Sequence, residues 1–235
     1  MSSIIGIIGA MDEEVSKLIA KADITAAEDV AGMTFHTGKL AGADAVIVRC
    51  GVGKVNAGIC TQLLISRYNA AHVINTGFAG SLSHDLGIGD IVVSTDAVQH
   101  DLDATGLGFK KGEIPFTGMS SFTADRALVT AACKVISENL PDVRVFSGRI
   151  CSGDQFISDK AAKERICADF GGLCCEMEGA AVAQVCCLNH IPFIILRAIS
   201  DSADEAAGED FNFSLFQSTV ADKFVSAVVH LVKAV

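Results

Sequence analysis

The stretch that most restricts what this chain can fold into is PFIILRAISDSAD, residues 192–204. Phe193, Ile194, Ile195, Leu196 and Ile199 form an apolar run behind a proline; Arg197 interrupts the run and Ser200-Asp201 ends it. Apolar residues at both parities fit a strand buried on both faces of a parallel sheet, a sheet normally covered by helices on each side. Asp201 then stands just past the carboxyl end of that strand, the edge at which ligands bind in open α/β sheets. An acid there, beside an arginine, is a candidate for proton chemistry. The plainer reading is an Asp that begins a turn or caps the next helix.

The rest of the chain supplies partners for such a strand. Residues 4–9 read as a first strand, followed by a helix over 11–22 with Val15, Leu18, Ile19 and Ala22 at helical spacing. Asp12, Glu13 and Glu14 crowd its first turn, where the helix dipole favours carboxylates. Three acids exceed what capping needs, so one of them is available to face the edge of the sheet. Residues 34–39 and 44–50 read as a hairpin turning through Ala41-Gly42. GVGKVNAG, residues 51–58, opens a helix to about Arg67. It resembles two phosphate loops and matches neither. Val48 stands where a P-loop needs its first glycine and Val55 follows the lysine, while Asn56 fills the position where a dinucleotide fingerprint needs a small residue. A tight strand-to-helix turn accounts for it. Further strands are expected at 72–76, ending in the glycine turn TGFAGSL, and at 88–94, 143–152 and 173–177. Helices are expected at 124–139, from Ser158 or Asp159 to Phe170, at 178–188 and at 211–235. Residues 99–121 form a long segment with four glycines and exposed-looking Leu107, Phe109, Ile114 and Phe116. A long apolar loop is uncommon unless it covers a pocket or a partner subunit. Strands and helices mostly alternate, so the expectation is one α/β domain over residues 1–235 with a mixed central sheet flanked by helices.

Composition narrows the function. A chain of 235 residues, half of them apolar, buries roughly 70–75% of its unfolded surface and needs no covalent staples. A net charge of −10 disfavours nucleic acid and anionic membrane as partners, both of which call for Lys/Arg patches. No apolar run reaches the roughly 18–20 residues of a membrane helix. The start, MSSIIGIIGAMDEE, lacks the basic region of a signal peptide, which leads to an expected cytoplasmic location. The nine cysteines contain no C-x-x-C and sit in apolar patterns, so they read as reduced, buried small hydrophobes. Neither they nor the six histidines have the spacing of a metal site.

Four strand ends carry chemical groups: Glu13 and Glu14, the glycine turn at 76–81, Glu176 and Glu178, and Asp201. Gathered on one edge, carboxylates in a partly apolar pocket raise one another's pKa, so that one can keep its proton and act as an acid. Such a set suits cleavage of a glycosidic bond: one acid protonates the leaving group, one carboxylate activates water and one holds sugar hydroxyls. Carboxylates also favour the oxocarbenium-like, positively charged transition state.

The motifs then become specific. GIIGAMDEEV (6–15), GVGKVNAG (51–58), NTGFAGSL (75–82), GDIVVS (89–94), SGDQFI (152–157), EMEGAA (176–181) and RAISDSAD (197–204) occur in that order. Together they resemble the 5′-methylthioadenosine/S-adenosylhomocysteine nucleosidases of the nucleoside phosphorylase/hydrolase superfamily, over essentially the whole chain. The resemblance implies the nucleoside phosphorylase-like three-layer fold, no cofactor or metal, a purine nucleoside substrate and a homodimer. It implies that Glu14 activates water and that Asp201 protonates N7 of adenine, oriented by Ser200 and Arg197. Glu178 would accept hydrogen bonds from ribose hydroxyls, with Met177 against the sugar. Phe156 would stack on adenine and the Ile157 backbone would read its edge. Met11, Val52 and Phe211 would line the 5′-thio pocket, and Leu107 and Pro115 would arrive from a second subunit. Phe78 departs from the family pattern, which favours a small residue there, and leaves the exact substrate open. Alternative readings are a phosphorolytic relative, which would bring arginines to the strand ends, a hydrolase of another adenosine derivative such as aminofutalosine, and a purine-binding module without catalysis.

Overall fold

A computed structural model describes residues 3–203 and 213–235, with side chains of the last helix from residue 220 onward. The apolar run becomes strand β10, Phe193–Asp201, buried at all nine positions. It pairs in parallel with β5, Ala70–Ser81, and antiparallel with β6, Ile91–Gln99. On the far side of β5 lie β1, Ile4–Gly9, then β4, Ala43–Arg49, β3, Met33–Leu40, and β2, Asp23–Val30. β1, β4, β5 and β10 all run the same way. β8, Val145–Ser152, runs parallel to β6 and is followed in the sheet by the short β9, Cys174–Glu176, which returns to β5. The strands β5, β10, β6, β8 and β9 therefore close a circuit within one mixed sheet, and the two-residue β7, Phe122–Thr123, adds to β6.

Helices cover both faces, as a doubly buried strand requires. One face packs on α2, Lys54–Ser66, and α5, Gly179–Leu188, through Ala57, Cys60 and Leu64 and through Ala180, Val182 and Cys186. The other packs on α1, Asp12–Lys21, α3, Arg126–Asn139, and α6, Phe213–Ala234, through Val15 and Leu18, Leu128 and Ile136, and Phe224, Val228 and Leu231. A smaller cluster seats α4, Lys160–Phe170, beside β8 and β9. Asp159, rather than Ser158, caps that helix, its Oδ1 accepting from Ala162 N at 2.8 Å. All nine cysteines are free, six buried and three half-buried.

Two expectations change and one strand is added. The expected glycine turn at 76–81 is not a turn, because β5 continues through it to Ser81. β6 likewise runs five residues past the expected end at Ser94, to Gln99. β2 is an edge strand to which the sequence draws no attention; Ala31 and Gly32, both at positive φ (52° and 76°), turn it into β3.

Candidate active site

The carboxyl ends of β1, β5 and β10 lie side by side, and a cavity of about 300 Å³ opens over them. This is within the size range of small-molecule sites. Of the residues singled out from sequence, the cavity wall contains Met11, Glu14, Val52, Phe78 and Phe156 on one hand, and Met177, Glu178, Ser200 and Asp201 on the other. Glu176, Cys175, Ala79 and Gly80 complete most of the rest. Its described lining thus carries four carboxyl groups and no Lys or Arg.

Each carboxyl is held differently. Glu14 caps its own helix: Oε2 accepts from Ala10 N at 2.5 Å and Met11 N at 3.0 Å, while Oε1 accepts from Phe78 N at 3.1 Å. The helix-capping reading and the site reading therefore apply to the same residue. Burial pushes the Glu14 carboxyl above the usual carboxylate range, and the Arg197 charge and those backbone N–H groups pull against it. Glu176 ends β9, just ahead of α5, and is fully engaged. It accepts from Gly179 N at 2.8 Å and Glu178 N at 3.1 Å, from the Ser152 hydroxyl, and from Arg197 in a buried ion pair. Burial opposes its charge, but Arg197 and these donors outweigh that and hold Glu176 below its ordinary pKa. The Glu178 carboxyl has one hydrogen bond among those described, from Gly53 N to Oε1 at 2.7 Å. Burial first, and then the Glu176 charge, push Glu178 up to about 8. Burial and crowding thus favour the protonated form of Glu178. Asp201 takes the Ser200 hydroxyl on Oδ2 at 2.8 Å and Ala203 N on Oδ1 at 2.8 Å.

The glycines of β5 serve these carboxyls. A Cβ on Gly77 would lie 2.5 Å from Glu14 Oε1, and one on Gly80 would lie 2.8 Å from Asp201 Oδ1. The carboxyls of the protein itself occupy the space that side chains at these positions would need.

Arg197 is placed differently from the expectation. β10 pairs with β5 through Ile199↔Ala79 and then Asp201↔Gly80, so Ser200 is a bulge. Neighbours in register share a face, and the extra residue turns Asp201 away from the side on which Arg197 lies. Arg197 is 2% exposed and gives its Nη2 to Asn75 Oδ1 at 2.5 Å and to Glu176. It lies behind the cavity wall, oriented toward Glu176 and not toward Asp201. Phe78 lines the cavity while its ring stands 6.1 Å from that of Phe224 on α6. The Ile157 side chain leaves the cavity and packs with Val98, Cys151 and Ile166. Leu107 and Phe116 lie on the outer loop, 72% and 89% exposed, whereas Ile114 is half-buried against the core; Pro115 is half-buried beside it. Phe211 lies outside the described residues. The role of Glu176 is not evident from sequence; its signal is the EMEG spacing, which puts two carboxyls just ahead of one helix start. Among the described residues, no group of three or more His, Cys, Asp or Glu side chains is set to hold a metal ion.

A model of the phosphorylase superfamily matches residues 4–235. The 5′-methylthioadenosine/S-adenosylhomocysteine nucleosidase of Shewanella sediminis is 43% identical over 209 residues, 88% of this chain and 90% of that protein. Among solved structures, the nucleosidase of the same name from Neisseria meningitidis, in complex with methylthio-immucillin-A, is 35% identical. It superposes with a TM-score of 0.93 over 99% of this chain and 100% of that one. The futalosine hydrolase of Helicobacter pylori is 32% identical, with a TM-score of 0.92 over 100% of this chain and 99% of that one.

Proposed function

The chain belongs to the phosphorylase superfamily, and from that premise we propose that it hydrolyses the N-glycosidic bond of 5′-methylthioadenosine and S-adenosylhomocysteine, releasing adenine and the 5-thioribose product. The observation that carries the choice of water over phosphate is the cavity wall of four carboxyl groups without Lys or Arg. Arg is the residue that recognises phosphate bidentately, and the nearest, Arg197, is spent on Glu176. Like charges about 4 Å apart cost on the order of 4 kcal/mol at an effective dielectric of about 20. That is roughly a thousandfold in phosphate affinity, and water incurs none of it.

The residues divide the work by their surroundings. Asp201, at the strand end, delivers a proton to adenine N7 as the glycosidic electron pair leaves with the base, with Ser200 holding its second oxygen. Glu14, made more basic by burial, takes a proton from water attacking the sugar carbon. Glu178, which keeps its own proton near neutral pH, both donates to and accepts from ribose hydroxyls, with Met177 against the sugar. Phe156 stacks on adenine with the Ile157 backbone at its edge, and Met11, Val52 and Phe78 bound the 5′ end. Arg197 acts from behind, keeping Glu176 charged and the carboxyl set electrostatically supported.

The unit that acts is a homodimer of one-domain chains in the cytoplasm. Support for the dimer is a set of exposed apolar side chains: Val55 and Ile59 on one face of α2, Leu188 at the end of α5, and Leu107 and Phe116 on the loop. Leu107 and Pro115 then complete the partner's 5′ pocket. Among the described residues no helix is long and apolar enough to cross a membrane. A second reading, hydrolysis of a futalosine-type adenosine derivative, draws on the likeness to the H. pylori enzyme. Initial rates of adenine release from methylthioadenosine, adenosylhomocysteine and aminofutalosine, measured side by side, decide between them. The proposal expects the two thio-nucleosides to lead; dominance of aminofutalosine would overturn it.

A further inference from the structure

Two sequence motifs, GVGK and SGDQF, meet at the cavity rim in a closed ring of hydrogen bonds that the chemistry above does not use. Lys54 N donates to Asp154 Oδ1 at 2.8 Å, and Asp154 N donates to Asp101 Oδ2 at 2.8 Å. Lys54 Nζ closes the ring onto Asp101 Oδ1 at 2.5 Å and also reaches Gln99 Oε1 at 2.9 Å. Gln99 in turn donates to Gln184 Oε1 on α5 at 2.7 Å. The Lys54 and Asp101 side chains are only 17% and 15% exposed, so this pair is less screened than a surface salt bridge.

The ring adjoins two parts of the site. Immediately before Lys54 is Gly53, at φ +99°, whose N–H makes the hydrogen bond to Glu178. Two residues after Asp154 is Phe156, on the cavity wall. A glycine at positive φ is the least restrained point of a backbone, yet the direction of the Gly53 N–H sets where the Glu178 carboxyl points. Fixing the next N–H on Asp154, and the next side chain on Asp101, removes that freedom.

We propose that Lys54, Asp101 and Asp154 form a latch that positions the Glu178 carboxyl for the nucleoside. They are positioning residues, and the lysine of GVGK serves this ring instead of a phosphate. The proposal rests on the reading of Glu178 as the ligand of the ribose hydroxyls.

The test is a double-mutant cycle in the full chain. Lys54→Met and Asp154→Ala are each made in the wild type and in Glu178→Ala, which removes the acceptor of the Gly53 N–H, and the Kd for a non-hydrolysable methylthioadenosine analogue is measured by calorimetry beside thermal melts. Residues sharing a hydrogen-bond network couple strongly, so each latch variant weakens binding about tenfold in the wild type and less than about twofold in Glu178→Ala. Asp154→Ala keeps the buried Lys54–Asp101 pair and reads the same coupling if Lys54→Met does not fold. Equal losses in both backgrounds, or a lowered melting temperature with unchanged Kd, overturn the latch. A wild type that does not bind the analogue overturns the ribose reading beneath it.

Discussion

Replacing Glu178 by Gln should make the protein more stable, by an amount that grows with pH. Moving a carboxyl from its ordinary 4.5 to about 8 corresponds to about 5 kcal/mol, at about 1.4 kcal/mol for each tenfold. The folded state holds this proton up to about pH 8, while the unfolded chain releases it above 4.5. The stability contributed by the protonated form is therefore complete below 4.5 and lost progressively as pH rises to about 8. Glutamine keeps a carbonyl for the Gly53 N–H and has no charge to bury. The two proteins should match near pH 5 and diverge by up to about 5 kcal/mol near pH 9. For a chain of this size that is about 10–20 °C in melting temperature, at about 2–4 °C per kcal/mol. Calorimetric melts of both proteins across this range make the comparison. A difference independent of pH would refute the reasoning that burial and the Glu176 charge keep Glu178 protonated.

The remaining predictions concern single contacts. Asp201→Asn should lower turnover roughly 10²–10⁴-fold, the scale of positioned proton transfer, with a smaller effect on substrate affinity; near-wild-type turnover in the purified variant removes Asp201 from the mechanism. Gly77→Ala puts a methyl 2.5 Å from Glu14 Oε1, and displacing that carboxyl by about 1 Å should cost on the order of 10²-fold in kcat. An unchanged kcat would show that Glu14 need not be where the structure has it. Arg197→Met leaves Glu176 buried without its counter-charge and should cost about 3–5 kcal/mol in denaturant unfolding, with Glu176→Gln added to Arg197→Met recovering part of it. Asp at both Leu107 and Phe116 should shift sedimentation toward monomer and lower activity; an unchanged dimer would move the interface elsewhere.

What the sequence made legible follows from local physics. The doubly apolar run of β10 and the Ala41-Gly42 turn, with φ of 53° and 91°, announce themselves because burial and turn geometry demand particular residues. β2 does not, because six of its eight residues are exposed and an exposed edge strand has no apolar alternation to display. The extension of β5 through Gly77 and Gly80 was concealed by glycine itself, which suggests a turn until the carboxyls of Glu14 and Asp201 are seen filling the missing Cβ space. The acids at 14, 178 and 201 could be found because each stands at a strand or helix end. The partner of Arg197 could not. Its link to Glu176 spans 21 residues of sequence and depends on β9 meeting the end of β5 from the opposite direction. The bulge at Ser200, which separates Arg197 from Asp201, leaves no mark in composition or spacing.

The account turns on water, not phosphate, taking the sugar at a cavity lined by Glu14, Glu176, Glu178 and Asp201. The direct measurement is product analysis of methylthioadenosine turnover in phosphate-free buffer and again with excess phosphate. The account predicts adenine and free 5-methylthioribose in both, at the same rate. A sugar 1-phosphate among the products, or turnover that begins only when phosphate is added, would contradict it.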